Sequence, residues 1–153
     1  MEVFRLCKSK FSGELSGKGA AIMGGRWNSP GIEIIYTSSN RSLTMAEVAV
    51  HFNAAMVPVD YMMVTILIPD SLSVKKIMLK ELPENWNCFP PLSVIHHFGD
   101  KFVSEKKYCL LEVPSAVTQG DYNILINPNH PDYKKIKIKI IEKFPLDRRI
   151  FKG

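Results

Sequence analysis

The feature that most constrains the fold is a run of small and apolar residues in the first third of the chain. Residues 43–55 contain no Gly or Pro and are rich in Ala and Met, which predicts a helix. Ser39 and Asn40 precede the run and are suited to cap the helix N-terminus. A helix that is apolar on nearly every side is usually buried in the centre of a domain. We therefore predict that the remaining elements pack around this helix.

Glu47 is the exception on the apolar helix, and His51 follows it one turn later on the same side. An ionised carboxylate in apolar surroundings is costly unless it is paired or hydrogen-bonded. One interpretation is a buried salt bridge or capping bond that serves stability. The other is a carboxylate at the floor of a ligand pocket, with Arg26 and Tyr36 as neighbours.

Strand-like runs account for most of the remaining chain. They predict strands over residues 2–6, 32–38, 60–68, 73–79, 108–113, 123–127 and 135–140. A second helix is predicted over residues 91–105, and loops over the glycine-rich segment 12–25 and over 82–91. Mainly strands with two inserted helices indicate an α+β domain.

Length and composition indicate one domain over residues 1–153, with the 46% hydrophobic content of an ordinary globular protein. The formal charge of +5 is compatible with an acidic ligand or nucleic acid but does not choose between them. The sequence predicts neither a membrane span nor a signal peptide. Three cysteines without metal-type spacing are typical of reduced thiols, so we expect a cytoplasmic protein that has no contact with a membrane.

Arg5 and Ser115 each have a structural and a functional interpretation. Arg5 alternates with Phe4 and Leu6 in the first strand, so it faces either solvent or a cleft. Ser115 follows Pro114 at the end of a predicted buried strand. It is interpreted either as a turn residue or as a residue that contacts a ligand. Because the local sequence offers no His base with an orienting acid, we interpret Ser115 as a hydrogen-bonding residue and not as a nucleophile.

Two basic patterns are better explained by structure than by a binding site. Lys135, Lys137 and Lys139 alternate with isoleucines, which indicates a solvated strand face; the alternative is a nucleic-acid surface. Since no aromatics interleave to stack bases, direct nucleic-acid binding is not expected. His96 and His97 point to different faces of a helix without a third ligand, so no metal site is expected.

Several short motifs, in order along the whole chain, resemble those of the RES domain family. They are residues 3–6, Gly24 to Asn28, Tyr36, Glu47 with His51, residues 113–117, residues 123–128 with 130–132, and a terminal strand over 144–151. That family consists of bacterial toxins paired with Xre-type antitoxins, and it is named for an Arg, a Glu and a Ser.

The resemblance implies a compact domain with a split, mainly antiparallel β-sheet and inserted helices, related to ADP-ribosyltransferases. It implies that NAD⁺ is bound as substrate in a central cleft, without a metal, and is consumed by hydrolysis or phosphorolysis of the nicotinamide–ribose bond. An Xre-family antitoxin is the implied partner. Transfer of ADP-ribose to a protein is the alternative within this class. From other classes, the alternatives are a basic RNA-binding or RNA-cleaving toxin and a noncatalytic binding module.

Under the resemblance, Glu47, Arg26 and Arg5 are the candidate catalytic residues. A fixed carboxylate stabilises an oxocarbenium-like transition state, and arginines hold pyrophosphate or ribose through charge-assisted bonds. Tyr36 offers a flat face for the nicotinamide ring. The other candidate NAD⁺-binding residues are Trp27, Asn28, Ser115 and Asn127.

Overall fold

A computed structural model describes residues 1–52 and 59–151 of the chain. Within these residues seven strands form one sheet: β1 (Glu2–Lys8), β2 (Ile35–Ser38), β3 (Tyr61–Leu67), β4 (Val74–Lys76), β5 (Leu110–Pro114), β6 (Tyr122–Ile126) and β7 (Lys137–Lys143). Their order across the sheet is β4-β5-β6-β2-β1-β3-β7. Neighbouring strands are antiparallel, except for the parallel pair of β4 and β5.

Helices are inserted between the strands of this sheet. They are α1 (Lys18–Met23), α2 (Arg41–Ala49) and α3 (Ser93–Glu105), with short 3-10 turns between other elements. The predicted α+β class, with a mainly antiparallel sheet and inserted helices, is confirmed. Among the described residues no helix is both long and apolar enough to cross a membrane.

The sheet is split between β1 and β2. These strands share the single pair Phe4 and Ser38. By contrast, β1 pairs with β3 along its whole length, and β2 pairs with β6 over all four of its residues. The two halves of the sheet are therefore joined at one point, and a cleft lies between the strands beyond it.

Apolar side chains pack on both faces of the sheet, in one cluster that includes Val64 and Ile124 and another that includes Trp27 and Leu125. Helix α3 packs against the second cluster through Gly99. A Cβ atom at this position would lie 1.8 Å from the Trp27 carbonyl oxygen, so only glycine permits the contact. Gly99 is thus the point where the backbone of α3 reaches the residues before β2.

Helix α2 is shorter and more exposed than predicted. Asn40 caps it, because its Oδ1 accepts the Leu43 N–H at 2.8 Å, and the helix ends at Ala49. Residues 53–55 of the predicted helix lie outside the described residues. Only Leu43 and Thr44 of α2 are fully buried, so the prediction of a helix enclosed on all sides is wrong. One side of α2 packs on β1 and β2, and another borders the cleft.

Four other boundaries also differ from the prediction. The predicted loop over 12–25 contains α1, because the Ala, Ile and Met residues there favour a helix despite Gly19. Strand β4 covers only the centre of the predicted 73–79, and Lys135 lies in a 3-10 turn ahead of β7. The terminal strand expected over 144–151 is absent from these described residues, of which 148–151 form a 3-10 turn.

Candidate active site

The cleft between β1 and β2 contains a cavity of about 300 Å³. This volume lies at the lower end of the range for ligand pockets, roughly 300–1,000 Å³. Its walls come from β1, β2 and α2, with contributions from α1, the segment before it and the start of β6. The lining residues are Phe4 to Cys7, Ser16, Ala20, Ile34, Tyr36 to Ser38, Thr44, Glu47, Val48, His51 and Asn123.

Glu47 projects from α2 into the cavity wall and is held through one of its two carboxylate oxygens. Its Oε1 accepts the Ser115 hydroxyl at 2.7 Å and the Asn123 amide Nδ2 at 2.6 Å. Within the described part of the chain, no hydrogen bond reaches Oε2. Both partners are neutral side chains, so this geometry matches a hydrogen-bonded carboxylate at a cavity and not a salt bridge between described residues.

The Ser115 hydroxyl has a defined direction. Its oxygen accepts the backbone N–H groups of Val117 at 3.1 Å and Thr118 at 2.9 Å. A hydroxyl has one proton and two acceptor lone pairs, so both lone pairs are occupied and the proton is given to Glu47. Ser115 is therefore both a turn residue and a donor to the carboxylate, and its oxygen has no lone pair left free for nucleophilic attack.

The register of the sheet brings the partners of Glu47 together. Asn123 on β6 pairs with Ser38 on β2 and with Val113 on β5. Alternate residues of a strand share a face, so Ser115, two residues after Val113, lies on the same face as Asn123. Ser38 donates its hydroxyl to Asn123 Oδ1 at 2.7 Å. Three neighbouring strands thus place polar side chains at one level, beneath Glu47.

Arg5 lies on the wall of the cavity, at the cleft between β1 and β2. Its Nη1 is buried and has no hydrogen-bond partner among the described residues. A buried donor on a cation is costly when unpaired, so the arrangement favours an anionic or strongly polar ligand at this nitrogen. Of the two orientations that the alternation of β1 allowed, the structure shows the one toward the cleft.

Arg26 does not line the cavity. Its Nη1 donates to the carbonyl oxygens of Trp86 at 3.0 Å and Cys88 at 2.9 Å, which anchors the loop after the second 3-10 turn. Burial lowers the pKa of Arg26, while the negative charge of Glu47 is among the influences that raise it. Arg26 therefore contributes positive charge near Glu47 but holds a loop with part of its guanidinium.

The ring of Tyr36 forms part of the cavity wall, while its hydroxyl is engaged behind that wall. The hydroxyl donates to Asn28 Oδ1 at 2.7 Å and accepts the Trp27 backbone N–H at 3.0 Å. Burial raises the pKa of Tyr36, so the phenol stays protonated. A Cβ atom at Gly25 would lie 2.5 Å from this hydroxyl, which explains a glycine in the turn.

Trp27, Asn28 and Asn127 are buried away from the cavity wall. The Trp27 ring packs against two other aromatic rings, and the Asn28 amide donates to carbonyl oxygens including those of Ala20 and Ile32 at 2.9 Å. Asn127 donates to the Val103 carbonyl at 3.2 Å. Contact of these three residues with a ligand remains a prediction, and their positions do not favour it.

The structure therefore brings three of the predicted site residues to the cavity, namely Arg5, Tyr36 and Glu47, and places Ser115 directly behind Glu47. Ser38 and Asn123 are site residues that the sequence did not identify. The available signal was their position at the ends of predicted strands. In the part of the chain that the structure covers, no group of three or more acidic, His or Cys side chains is arranged for a metal ion.

Comparison with known proteins identifies relatives over almost the whole chain. A family model described as RES domain matches residues 2–148. A protein named Prs ADP-ribosylating toxin, from Sphingobium sp. (strain YBL2), is 38% identical over 141 residues, which are 91% of this chain and 88% of that protein. Toxin Res of Photorhabdus laumondii subsp. laumondii is 30% identical over 156 residues, covering 100% of this chain and 99% of that protein.

A similar fold is present in the crystal structure of the M. tuberculosis MbcT-MbcA toxin-antitoxin complex. The matching chain superposes with a TM-score of 0.75 and covers 98% of this chain and 86% of its own length. Sequence identity over this match is 20%, so the likeness is one of fold.

Proposed function

The chain belongs to the RES domain family, and from that premise we propose that it is the toxin of a toxin–antitoxin pair that consumes NAD⁺. Two relatives carry toxin names, and the similar fold comes from a toxin-antitoxin complex. ADP-ribosylation, which the name of the Sphingobium protein states, takes its ADP-ribose from NAD⁺. The proposed reaction breaks the bond between nicotinamide and ribose, with water or phosphate as the acceptor.

The observation that carries the proposal is the carboxylate of Glu47, fixed through Oε1 at the wall of a cavity. When the bond to nicotinamide breaks, its electron pair leaves with the nicotinamide and positive charge develops on the ribose. A pre-positioned negative charge stabilises that state most strongly where water is excluded. Because the leaving ring is already cationic in NAD⁺, no strong acid is required. This agrees with Glu47 as the one carboxylate among the described lining residues.

Arg5 and two aromatic rings support the assignment of NAD⁺ as substrate. The buried Nη1 of Arg5 is a charged donor suited to a phosphate oxygen or a ribose hydroxyl. Phe4 and Tyr36 line the same cavity and offer faces for a flat ring. Trp27 and Asn28 support this wall from behind, since their backbone and side chain bind the Tyr36 hydroxyl. The cavity is sized for part of a dinucleotide, and we assign to it the nicotinamide–ribose half.

The direct test is release of nicotinamide from NAD⁺ by the purified chain, with and without inorganic phosphate. Transfer to water yields ADP-ribose and a proton, whereas transfer to phosphate yields phosphorylated ADP-ribose. Glu47→Gln is the inactive comparison. Glu105→Gln, on the exposed end of α3, is the control for loss of a carboxylate elsewhere. Absence of nicotinamide release by the unmodified chain under both conditions would refute the proposed activity.

Transfer of ADP-ribose to a protein is the second candidate, favoured by the name of the 38% identical relative. In that reaction a nucleophilic side chain of the target replaces water at the ribose carbon. Incubation of the chain with labelled NAD⁺ and a bacterial extract separates the two activities. Label on a discrete protein band supports transfer, while label only in free ADP-ribose supports hydrolysis.

An RNA-directed activity is not favoured by the basic residues of the C-terminal region. Lys135 pairs with Asp132 at 2.7 Å, and Lys139 pairs with Glu2. Strand β7, which carries Lys137 and Lys139, is an edge strand, where lysines discourage pairing with other chains. Changing Lys135, Lys137 and Lys139 together to Gln should leave NAD⁺ turnover nearly unchanged. An RNA substrate would instead show weaker binding and a flatter salt dependence for this triple variant.

A cytoplasmic enzyme that depletes NAD⁺ requires restraint, and we propose an Xre-family antitoxin as the partner. A carboxylate of the antitoxin would accept a hydrogen bond from Arg5 Nη1, which has no partner among the described residues, and so exclude the substrate. Inhibition would then weaken as NAD⁺ concentration rises, and Arg5→Ala would lower the affinity of the complex. Inhibition that is independent of NAD⁺, with unchanged affinity for Arg5→Ala, would place the antitoxin away from the cavity.

A further inference from the structure

We propose that Ser38 and Asn123 form a positioning relay for Glu47, which fixes Oε1 and leaves Oε2 for the substrate. The inference rests on the proposed NAD⁺-consuming function and extends it to two residues behind the reacting carboxylate. Ser38 lies on β2, Asn123 on β6 and Glu47 on α2, so the relay connects three elements of the fold.

The orientation of the Asn123 amide follows from its neighbours. A carboxylate oxygen accepts hydrogen bonds and cannot donate them, so the Nδ2 end faces Glu47, at 2.6 Å. The Oδ1 end then faces Ser38, whose hydroxyl donates to it at 2.7 Å. Rotation of the amide by half a turn would bring Oδ1 against the carboxylate and repel it. With its hydroxyl donating to Oδ1, Ser38 stabilises the orientation in which Nδ2 faces Glu47.

Two donors from different strands hold the same oxygen of Glu47. Asn123 reaches Oε1 from β6, and Ser115 reaches it at 2.7 Å from the turn after β5. A carboxylate held at one oxygen from two directions cannot exchange its oxygens freely. Since neither described donor bonds to Oε2, that oxygen is the one available to the ribose.

The relay is built into the point where the two halves of the sheet meet. Ser38 pairs with Asn123 on one side and with Phe4 on the other, and the Phe4 pair is the single link between β1 and β2. Both relay side chains are more than nine-tenths buried, at 4% and 8% exposure. Water therefore competes little for these bonds, which favours a lasting orientation over a transient one.

The test compares Ser38→Ala and Asn123→Ala with a matched control, Ser29→Ala. Ser29 also donates its hydroxyl to a side-chain oxygen, that of Asp100 at 2.6 Å, but it lies outside the cavity wall. We expect Asn123→Ala to lower kcat by about 10- to 100-fold with KM changed less than about threefold, because a misplaced group costs rate more than binding. Ser38→Ala should lower kcat by about 3- to 10-fold. Ser29→Ala should leave kcat of the folded protein unchanged.

Combined variants separate positioning from general destabilisation. In the proposed relay Ser38 affects Glu47 through its bond to Asn123, so the double variant Ser38→Ala/Asn123→Ala should be no slower than Asn123→Ala alone. In the Glu47→Gln background, neither alanine should lower kcat much further. Additive losses in the double variant, a rise in KM at constant kcat, or losses that match Ser29→Ala would each overturn the proposal. If Asn123→Ala does not fold, kcat is compared between Ser38→Ala and the double variant Ser38→Ala/Glu47→Gln, which tests the same dependence on Glu47.

A measurement independent of activity distinguishes failure of the relay from failure of the proposed function. Coupling between Asn123→Ala and Glu47→Gln in urea unfolding should be present whether or not the chain consumes NAD⁺. If the two substitutions are coupled in their effect on the free energy of unfolding but the unmodified chain releases no nicotinamide, the hydrogen-bonded relay exists and its catalytic role is refuted. Nicotinamide release without coupling in either unfolding or kcat would refute the relay while the proposed function stands.

Discussion

Replacement of Glu47 by Gln and by Ala should lower activity alike but affect stability differently. Gln retains an oxygen that can accept from both Ser115 and Asn123, whose donors now lie at 2.7 and 2.6 Å from Oε1. A hydrogen bond to a charged acceptor contributes about 1.5–3 kcal/mol and a neutral one about 0.5–1.5 kcal/mol, so two weakened bonds cost about 2 kcal/mol. Relief from burying a charge offsets part of that loss. We therefore expect Glu47→Gln to unfold within about 1 kcal/mol of the unmodified chain.

Glu47→Ala removes the acceptor altogether. The Ser115 hydroxyl and the Asn123 amide are then left without their partner, at a cost of about 1–3 kcal/mol for each buried donor. The Ala variant should therefore be less stable than the Gln variant by roughly 2–5 kcal/mol, because two such donors are involved. In both variants the negative charge is absent, so kcat for nicotinamide release should fall by at least about 100-fold.

Urea unfolding and the initial rate of nicotinamide release, measured on the same preparations, test both halves of this expectation. The kinetic values are expressed for the folded fraction, so that loss of stability does not count as loss of catalysis. A Gln variant that is as unstable as the Ala variant but fully active when folded would refute the catalytic assignment. It would show that the charge of Glu47 serves the fold.

Three further predictions concern the residues around the site. Gly99→Ala should destabilise the chain by about 1–3 kcal/mol in urea unfolding, because its Cβ would meet the Trp27 carbonyl, whereas Gly19→Ala in α1 has open space and should be neutral or stabilising. Arg26→Ala should lower turnover by loosening the loop that Arg26 anchors, and Arg26→Lys should restore it in part, since Nη1 alone donates to the Trp86 and Cys88 carbonyls and an ammonium can donate to both; no recovery of kcat would show that the planar guanidinium is required. Burial raises the pKa of Cys109 to about 11, so the unfolded thiol ionises first and stability should fall as pH rises from about 8.5 to about 11, a dependence that Cys109→Ala should reduce in urea unfolding at several pH values.

Local sequence patterns predicted where the strands and helices lie better than they predicted how deeply these elements are buried. The seven strands of the sheet and α3 appear within a few residues of their predicted positions, because period-two alternation and helix-forming composition act over short segments. The burial of α2 could not be predicted in this way. Composition indicated a helix enclosed on all sides, but its exposure depends on the split between β1 and β2, which is a property of the whole sheet.

The site shows the same division between local and long-range information. Arg5 had two possible orientations from alternation alone, and only the position of β1 at the split decides that it borders the cavity. Asn123 and Asn127 are four residues apart along the direction of β6. Their side chains therefore point to the same face but lie about 13 Å from each other. Which of the two meets Glu47 depends on the register of β6 against β2, residues about 85 positions apart in sequence, which no local pattern contains.

At the candidate site, donors and acceptors without a described partner distinguish the residues that we propose to bind the ligand from those that support them. Asn28 belongs to a motif that resembles a binding motif, but its amide and its oxygen are both engaged, with backbone carbonyls and with the Tyr36 hydroxyl. Ser115 likewise gives its only proton to Glu47. By contrast, Arg5 Nη1 and Glu47 Oε2 have no partner among the described residues, although both residues lie on the cavity wall. A motif therefore indicates which residues build the wall, and the atoms without a described partner indicate where we propose that the substrate binds.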